Sequence, residues 1–276
     1  MEAADLKRMK LYQNPERVFG SLRHVGIDPD GPLTVADLAT FDQYHYFGAA
    51  AVHEAIEALG LSDGLRVLDV GAGLGGPARL MADQTGCSVT AIELQPDLFE
   101  ISRMLTEKCG LSEKVTHLNG DVLAQDFSGE AFDAAVSWLV FLHIADRATL
   151  FSVLHAALRP GGRIYFEDYV ALGPLTAAEK QTLAEDVYCT YLPDLGRYVA
   201  DLEQAGFIDI ETRDMTPDWI PFVRSRRDDF KARLKANAEA MGQETAQAQA
   251  TFFDTVAGLF GGGNLGGLRV TGRKPD

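Results

Sequence analysis

The sequence predicts an α/β protein with a doubly wound, mostly parallel sheet. Three observations point there. Strand-length apolar runs alternate with helix-length amphipathic segments between about residues 60 and 215. The first of those runs ends in Val70 and passes directly into a glycine-rich turn, Gly71-Ala-Gly-Leu-Gly-Gly-Pro77, that opens a helix. The chain, 276 residues long, can bury a full core as one elaborated unit.

Taken in order, residues 1–60 stand outside the repeat and read as a helical arm. Thr34–Leu38 starts a helix there, Phe41–Gly48 is aromatic and polar at once, and Ala49–Leu59 is a helix closed by Gly60. The core, residues 61–276, then runs strand Arg66–Val70, helix Pro77–Gln84, strand Ser88–Glu93, helix Pro96–Cys109 and strand Val115–Asn119. Strand Ala131–Ser137, helix Asp146–Leu158 and strand Arg163–Glu167 follow. Two insertions break the alternation. About residues 169–195 precede the helix Gly196–Ala205, and about residues 216–263 separate strand Phe207–Asp214 from strand Leu268–Gly272. The second is too long for a bare loop and reads as a helical lid. The expected architecture is Rossmann-like, with an antiparallel C-terminal edge strand, the arm and two lids. Both lids and the arm converge over the carboxyl ends of the strands, which suits a small substrate kept away from water.

Composition narrows the function. Acidic residues outnumber basic ones 40 to 25, a net charge of −15, which disfavours nucleic acid as a partner. One basic cluster stands out, Arg224, Arg226, Arg227, Lys231, Arg233 and Lys235. No run is long enough to span a bilayer, and no signal-peptide pattern opens the chain, so a cytoplasmic monomer or homodimer is expected. Cys87, Cys109 and Cys189 lack CxxC spacing, which argues for a reducing compartment and against a metal site.

The turn carries the chemistry. Gly71, Gly73 and Gly76 satisfy the dinucleotide fingerprint, a weak signal alone. Three acids redirect it. Asp69 stands just before the turn, where it would repel a pyrophosphate but welcome a cationic amino-acid end. Glu93 closes the second strand, where it can accept both ribose hydroxyls. Asp121, after Gly120 and before Val122, can accept from an adenine amino group. The expected ligand is S-adenosylmethionine, held by Asp69, Gly71, Ala72, Gly73, Gly75, Glu93, Leu94, Gly120, Asp121, Val122, Ser137 and Trp138. An NAD(P)-dependent oxidoreductase and a non-catalytic S-adenosylmethionine sensor are the competing readings.

Five pieces in order, Val67–Pro77, Val89–Glu93, Gly120–Asp121, Phe132–Ser137 and Leu158–Gly162, resemble class I S-adenosylmethionine-dependent methyltransferases. Tyr44–Gly48, Gly73–Gly76, Leu142-His143 and Leu265–Lys274 further resemble the small-molecule type that methylates phosphoethanolamine or sarcosine and dimethylglycine. That resemblance implies transfer of a methyl to a small polar metabolite, N-methylation of an amine or amino-acid-like molecule first. S-methylation of a methylthio acid, or O-methylation of a small carboxylate-bearing molecule, is the alternative. It also implies a tyrosine of the arm, Tyr44 or Tyr46, paired with His143 over the acceptor. One departure matters: Leu139 stands where those relatives place an aspartate for the ammonium. Either Glu167 or Asp168 replaces it, or the acceptor is not a cation.

His143, after the fourth strand, is the best general base. His45 can touch cofactor or acceptor. Asp168, Tyr169, Tyr191 and Trp219 are candidates to wall the acceptor site, and Arg224 is the expected clamp for an acidic group.

Overall fold

The computed structural model describes residues 9–127 and 129–276, so the first eight residues of the expected arm lie outside the described residues. Seven strands form one sheet: β1 (Arg66–Val70), β2 (Ser88–Glu93), β3 (Val115–Asn119), β4 (Phe132–Trp138), β5 (Leu158–Ala171), β6 (Ile208–Asp214) and β7 (Leu265–Arg273). Their order is β3-β2-β1-β4-β5-β7-β6. The first five are parallel, while β7 runs antiparallel to both β5 and β6. The antiparallel strand therefore lies inside the sheet's end, and β6 is the edge. The sequence of β6 fits that place, since six of its seven residues are exposed.

β7, and β5 at its carboxyl end, outrun their expected bounds for one reason. They pair continuously from Arg163↔Arg273 to Ala171↔Leu265, so the ladder carries Asp168 and Tyr169 into the strand. The first insertion consequently begins after Ala171 rather than at residue 169.

Among the described residues the helices are α1 (Arg17–His24), α2 (Val35–Leu38), α3 (Ala49–Leu59), α4 (Gly76–Thr85), α5 (Pro96–Lys108), α6 (Arg147–Ala157), α7 (Ala177–Asp186), α8 (Leu195–Gln204), α9 (Thr216–Ala232), α10 (Leu234–Met241) and α11 (Gln243–Gly261). Local chemistry sets their ends. Thr34 with Asp37 and Thr176 with Glu179 form capping boxes, and Gly60 and Gly86 close helices in the left-handed region. No helix is long and apolar enough to cross a membrane among the described residues.

Sheet order reverses between β1 and β4, which opens a crevice at their carboxyl ends. The arm and the second lid cover that crevice and meet each other. Gly20 of α1 packs so closely on α10 that a Cβ there would come within 2.2 Å of the Ala240 carbonyl oxygen. The arm also meets the first insertion, where Lys10 pairs with Asp186 of α7 at 3.2 Å. Asp42 is the arm's anchor to the core. Its carboxylate meets Arg79 of α4 at 2.8 Å, and both side chains are essentially sealed from water. Arg79 also donates to the Leu74 carbonyl at 2.6 Å, so one guanidinium holds both arm and glycine turn.

Asp42→Ala leaves that guanidinium buried without its counter-ion and is expected to destabilise the fold by about 3–5 kcal/mol. Urea denaturation checks this, and an unchanged midpoint would mean the arm is not anchored there.

Candidate active site

One cavity of about 320 Å³ sits under the arm and second lid. Its floor is the glycine turn. Gly71, Gly73 and Gly75 have φ of 73°, 56° and 75°, a region that favours glycine. Gly71 also faces Val140 so closely that a Cβ would lie 2.4 Å from Cγ2. The turn can therefore lie flat against the residues that carry His143.

Of the expected cofactor residues, Asp69, Gly71, Ala72, Gly73, Glu93, Leu94, Gly120, Asp121, Val122 and Trp138 line the cavity. Glu93 is fixed by the backbone N–H groups of Gly73 and Gln95, which donate to it at 2.8 and 2.9 Å. Asp121 accepts from the Leu123 N–H at 2.9 Å and so caps a short turn at the end of β3. Asp69 differs from both: its Oδ2 is buried and meets no hydrogen-bond partner. Burial, reinforced by the charge of Glu93, pushes its carboxyl up to about 7.

Two expected cofactor residues sit elsewhere. Gly75 does not line the cavity; its missing side chain makes room for Ser102, whose Oγ would lie 2.2 Å from a Cβ. Ser137 donates to the Val70 carbonyl at 2.9 Å and ties β4 to β1 instead.

The other side of the cavity is apolar. Met9, Leu11, Leu139, Leu142, Val187 and Phe252 line it and belong to the cluster that joins arm and lids. His143 enters there on a short turn, Phe141–His143, after β4. Its Nδ1 lies 3.2 Å from the Tyr188 carbonyl oxygen. A carbonyl only accepts, so Nδ1 carries the hydrogen and Nε2 keeps its lone pair. Burial pushes the ring down to about 4, so it is neutral at physiological pH.

The expected tyrosine–histidine pair is not formed by either named tyrosine. The Tyr46 hydroxyl lies 2.5 Å from that of Tyr169, and Tyr44 packs beneath the Arg17 guanidinium, 4.8 Å from its ring centroid, with its hydroxyl unpartnered. The arm tyrosine against His143 is Tyr12, its ring edge-on with centroids 6.1 Å apart. Nothing in the local sequence marks Tyr12, because its approach depends on how the arm folds back.

The acceptor-site expectations are sorted as sharply. His45 lines the cavity, stacked on Trp138 with centroids 5.4 Å apart, and Tyr169 lines it too. Asp168 does not. It takes Arg147 at 2.9 Å and the Leu142 N–H at 3.0 Å, and so holds the His143 turn from behind. Glu167 is likewise committed, to Arg269 at 2.7 Å and the Tyr165 hydroxyl at 3.0 Å. Tyr191 is away from the cavity, where its carbonyl faces Cys189. Trp219 is fully buried behind Tyr46, edge-on at 4.8 Å. Arg224 is exposed, and Arg226 lines the cavity in its place. Helix phase gives the reason: Trp219, Val223 and Arg226 lie on one face of α9, and the first two are buried.

Residues 67–162 match a methyltransferase domain. The chain carries a class I S-adenosylmethionine-dependent methyltransferase domain. Methyltransferase GfsG of Streptomyces halstedii is 27% identical over 236 residues, 84% of this chain and 82% of that one. Phosphoethanolamine N-methyltransferase 2 of Caenorhabditis elegans is 33% identical over 168 residues, 59% of this chain but 37% of the relative, so this methyltransferase spans little more than a third of it. The fold is shared with Haemonchus contortus phosphoethanolamine N-methyltransferase 2, solved with phosphomonomethylethanolamine and S-adenosylhomocysteine. That likeness has a TM-score of 0.81 at 23% identity, and covers 99% of this chain and 60% of that one.

S-adenosylmethionine is the cofactor of the methyltransferase, and the residues present fit it. The partnerless Asp69 Oδ2 is a ready site for an ammonium, and Glu93 and Asp121 stand at the strand ends as acceptors. Holding the ammonium needs Asp69 ionised, whereas below about pH 7 the free protein keeps it protonated. Binding through Asp69 is then expected to release a proton. S-Adenosylhomocysteine affinity is expected to fall about tenfold per pH unit below 7 and to level off above it. Calorimetry in buffers of different ionisation enthalpy checks this; affinity flat from pH 5.5 to 8 would remove Asp69 from the site.

Proposed function

We propose that the methyltransferase moves a methyl group from S-adenosylmethionine to an uncharged nucleophile, a hydroxyl, on a small molecule. The carrying observation is the missing carboxylate. Leu139 lines the acceptor side, and the two acids nearest in sequence for replacing the relatives' aspartate, Asp168 and Glu167, are spent on Arg147 and Arg269. Asp146 lines the rim but is exposed and caps α6 through the Thr149 N–H at 3.0 Å. A cationic amine would lose its hydration beside leucine, valine and phenylalanine with no charge to compensate it. A hydroxyl carries no such penalty.

When bound, the cofactor supplies an electrophilic methyl on a sulfonium. The protein's part is alignment, exclusion of water and removal of a proton. The glycine turn and the His143 turn are held in contact at Gly71 and Val140. Asp168 and Arg147 fix the His143 turn from behind. His143 offers Nε2 to the acceptor hydroxyl, takes its proton as the O–C bond forms, and passes it on to water when the product leaves. The arm and lids cover the cavity and restrict the access of water.

A second reading is N-methylation of an amine bound in its neutral form, favoured by the likeness to the phosphoethanolamine N-methyltransferases. Matched acceptor pairs that differ only in hydroxyl or amine separate the two, read by S-adenosylhomocysteine release. Turnover confined to amines would reverse the order.

A further inference from the structure

We propose that Arg226 anchors an acidic group of the acceptor, so that the acceptor is a small hydroxylated carboxylate or phosphate monoester. This rests on the reading that an acceptor enters the cavity, and it names what the far end of that acceptor must carry.

Arg226 reaches the cavity from the second lid. Three aromatic rings hold its guanidinium: Phe253 at 4.5 Å, Tyr46 at 4.8 Å and Phe222 at 5.5 Å from ring centroid to Cζ. Rings stacked around a guanidinium fix its plane and leave its N–H edges to find acceptors. Among the described residues no carboxylate supplies one, and Nε is buried without a partner. Among the other buried arginines, Arg17 spends its guanidinium on the Asn14 carbonyl oxygen at 3.2 Å and over the Tyr44 ring, and does not line the cavity; the rest have carboxylates. Arg79 has Asp42, Arg147 has Asp168, and Arg269 has Glu167 and Glu54. Even the next residue, Arg227, is paired, with Asp228.

The hydroxyls beside Arg226 suit an anion. Tyr46 and Tyr169 both line the cavity with their oxygens in contact; the positive charge of Arg226 acts on both, and its guanidinium also bonds the Tyr46 oxygen, which leaves further N–H groups for an anion. One hydroxyl must donate to the other, so the pair has a second hydrogen left to offer. A guanidinium edge and a phenol O–H converging in a partly dry cavity make a charge-assisted site for anionic oxygen. The same partial burial makes the unpaired cation costly until an anion arrives. A carboxylate and a phosphate share this chemistry, and the guanidinium edge fits either.

The site also explains the division of the cavity. Beside the neutral His143 the cavity carries an apolar wall and one cation, while Asp69, Glu93 and Asp121 stand at the strand ends, Asp42 is paired with Arg79 and Asp146 is exposed at the rim. An acceptor with a hydroxyl at one end, an acidic group at the other and a short apolar body satisfies all three.

The test is calorimetry on protein saturated with S-adenosylhomocysteine, using benzoate, phenyl phosphate and benzamide as probes. Benzoate or phenyl phosphate is expected to bind about tenfold or more tightly than neutral benzamide, with the stronger of the two naming the acidic group. Arg226→Gln is expected to erase that preference without changing S-adenosylhomocysteine affinity, and Arg226→Lys to restore part of it. Equal binding of all three probes, no anion binding at tens of millimolar, or an unchanged preference in Arg226→Gln would overturn the anchor. Wild-type protein that failed to bind S-adenosylhomocysteine would instead overturn the function itself, and the anchor with it.

Discussion

Asp69→Asn is expected to weaken S-adenosylhomocysteine binding by about two orders of magnitude while making the cofactor-free protein more stable. The two effects share one cause. Asp69 is buried at the end of β1 with one oxygen unpartnered, and burial together with Glu93 raises its carboxyl to about 7. A raised carboxyl favours the protonated form in the fold. Stability is therefore lost as pH rises from the ordinary carboxylate value towards 7, and above 7 a buried charge remains without a partner. Asparagine has the same shape and no charge, so it removes the cost. It also removes the counter-ion for the cofactor's ammonium. Thermal denaturation at pH 8, with and without S-adenosylhomocysteine, reads both. A variant less stable than wild type in both states would mark Asp69 as a structural residue.

His143→Ala is expected to lower turnover by about two to three orders of magnitude with cofactor affinity unchanged. The size follows from geometry and proton state together. Nδ1 is committed to the Tyr188 carbonyl, which leaves Nε2 as an acceptor. Burial pushes the ring down to about 4, so it is unprotonated throughout the physiological range but a weaker base than a free imidazole, which keeps the expected effect at the lower end for general bases. Wild-type turnover should accordingly show no histidine limb between pH 5 and 8. A limb near 6.5 would mean that the histidine is exposed in the working state. Equal turnover in wild type and His143→Ala, at saturating cofactor, would remove His143 from the chemistry.

The sequence was most legible where local rules act. The bounds of Ala49–Leu59, Arg66–Val70, Ser88–Glu93 and Val115–Asn119 follow from apolar runs stopped by glycine, proline or an acid, and the structure keeps them unchanged. The acids at strand ends could be placed because a parallel sheet delivers them to one edge. Legibility failed where a side chain's fate is set by a distant partner. Asp168 and Glu167 look alike in sequence, and each is claimed by an arginine from another element, Arg147 from α6 and Arg269 from β7. Tyr44 and Tyr46 are equally plausible from sequence as partners for His143, and the arm tyrosine whose ring meets it is a third, Tyr12. Arg226 was readable in principle. It lies seven positions after Trp219, two turns along the same helical face, so anchoring the phase on the tryptophan would have chosen it over Arg224.

The measurement that tests the central claim most directly is a labelled transfer. Protein saturated with S-adenosylmethionine carrying a ¹³C methyl is mixed with a small-molecule extract, and the label is followed by NMR. The label is expected to leave the cofactor and appear as an O-methyl signal on an acidic product, with S-adenosylhomocysteine formed in equal amount. Label recovered on a quaternary or tertiary ammonium product would contradict it.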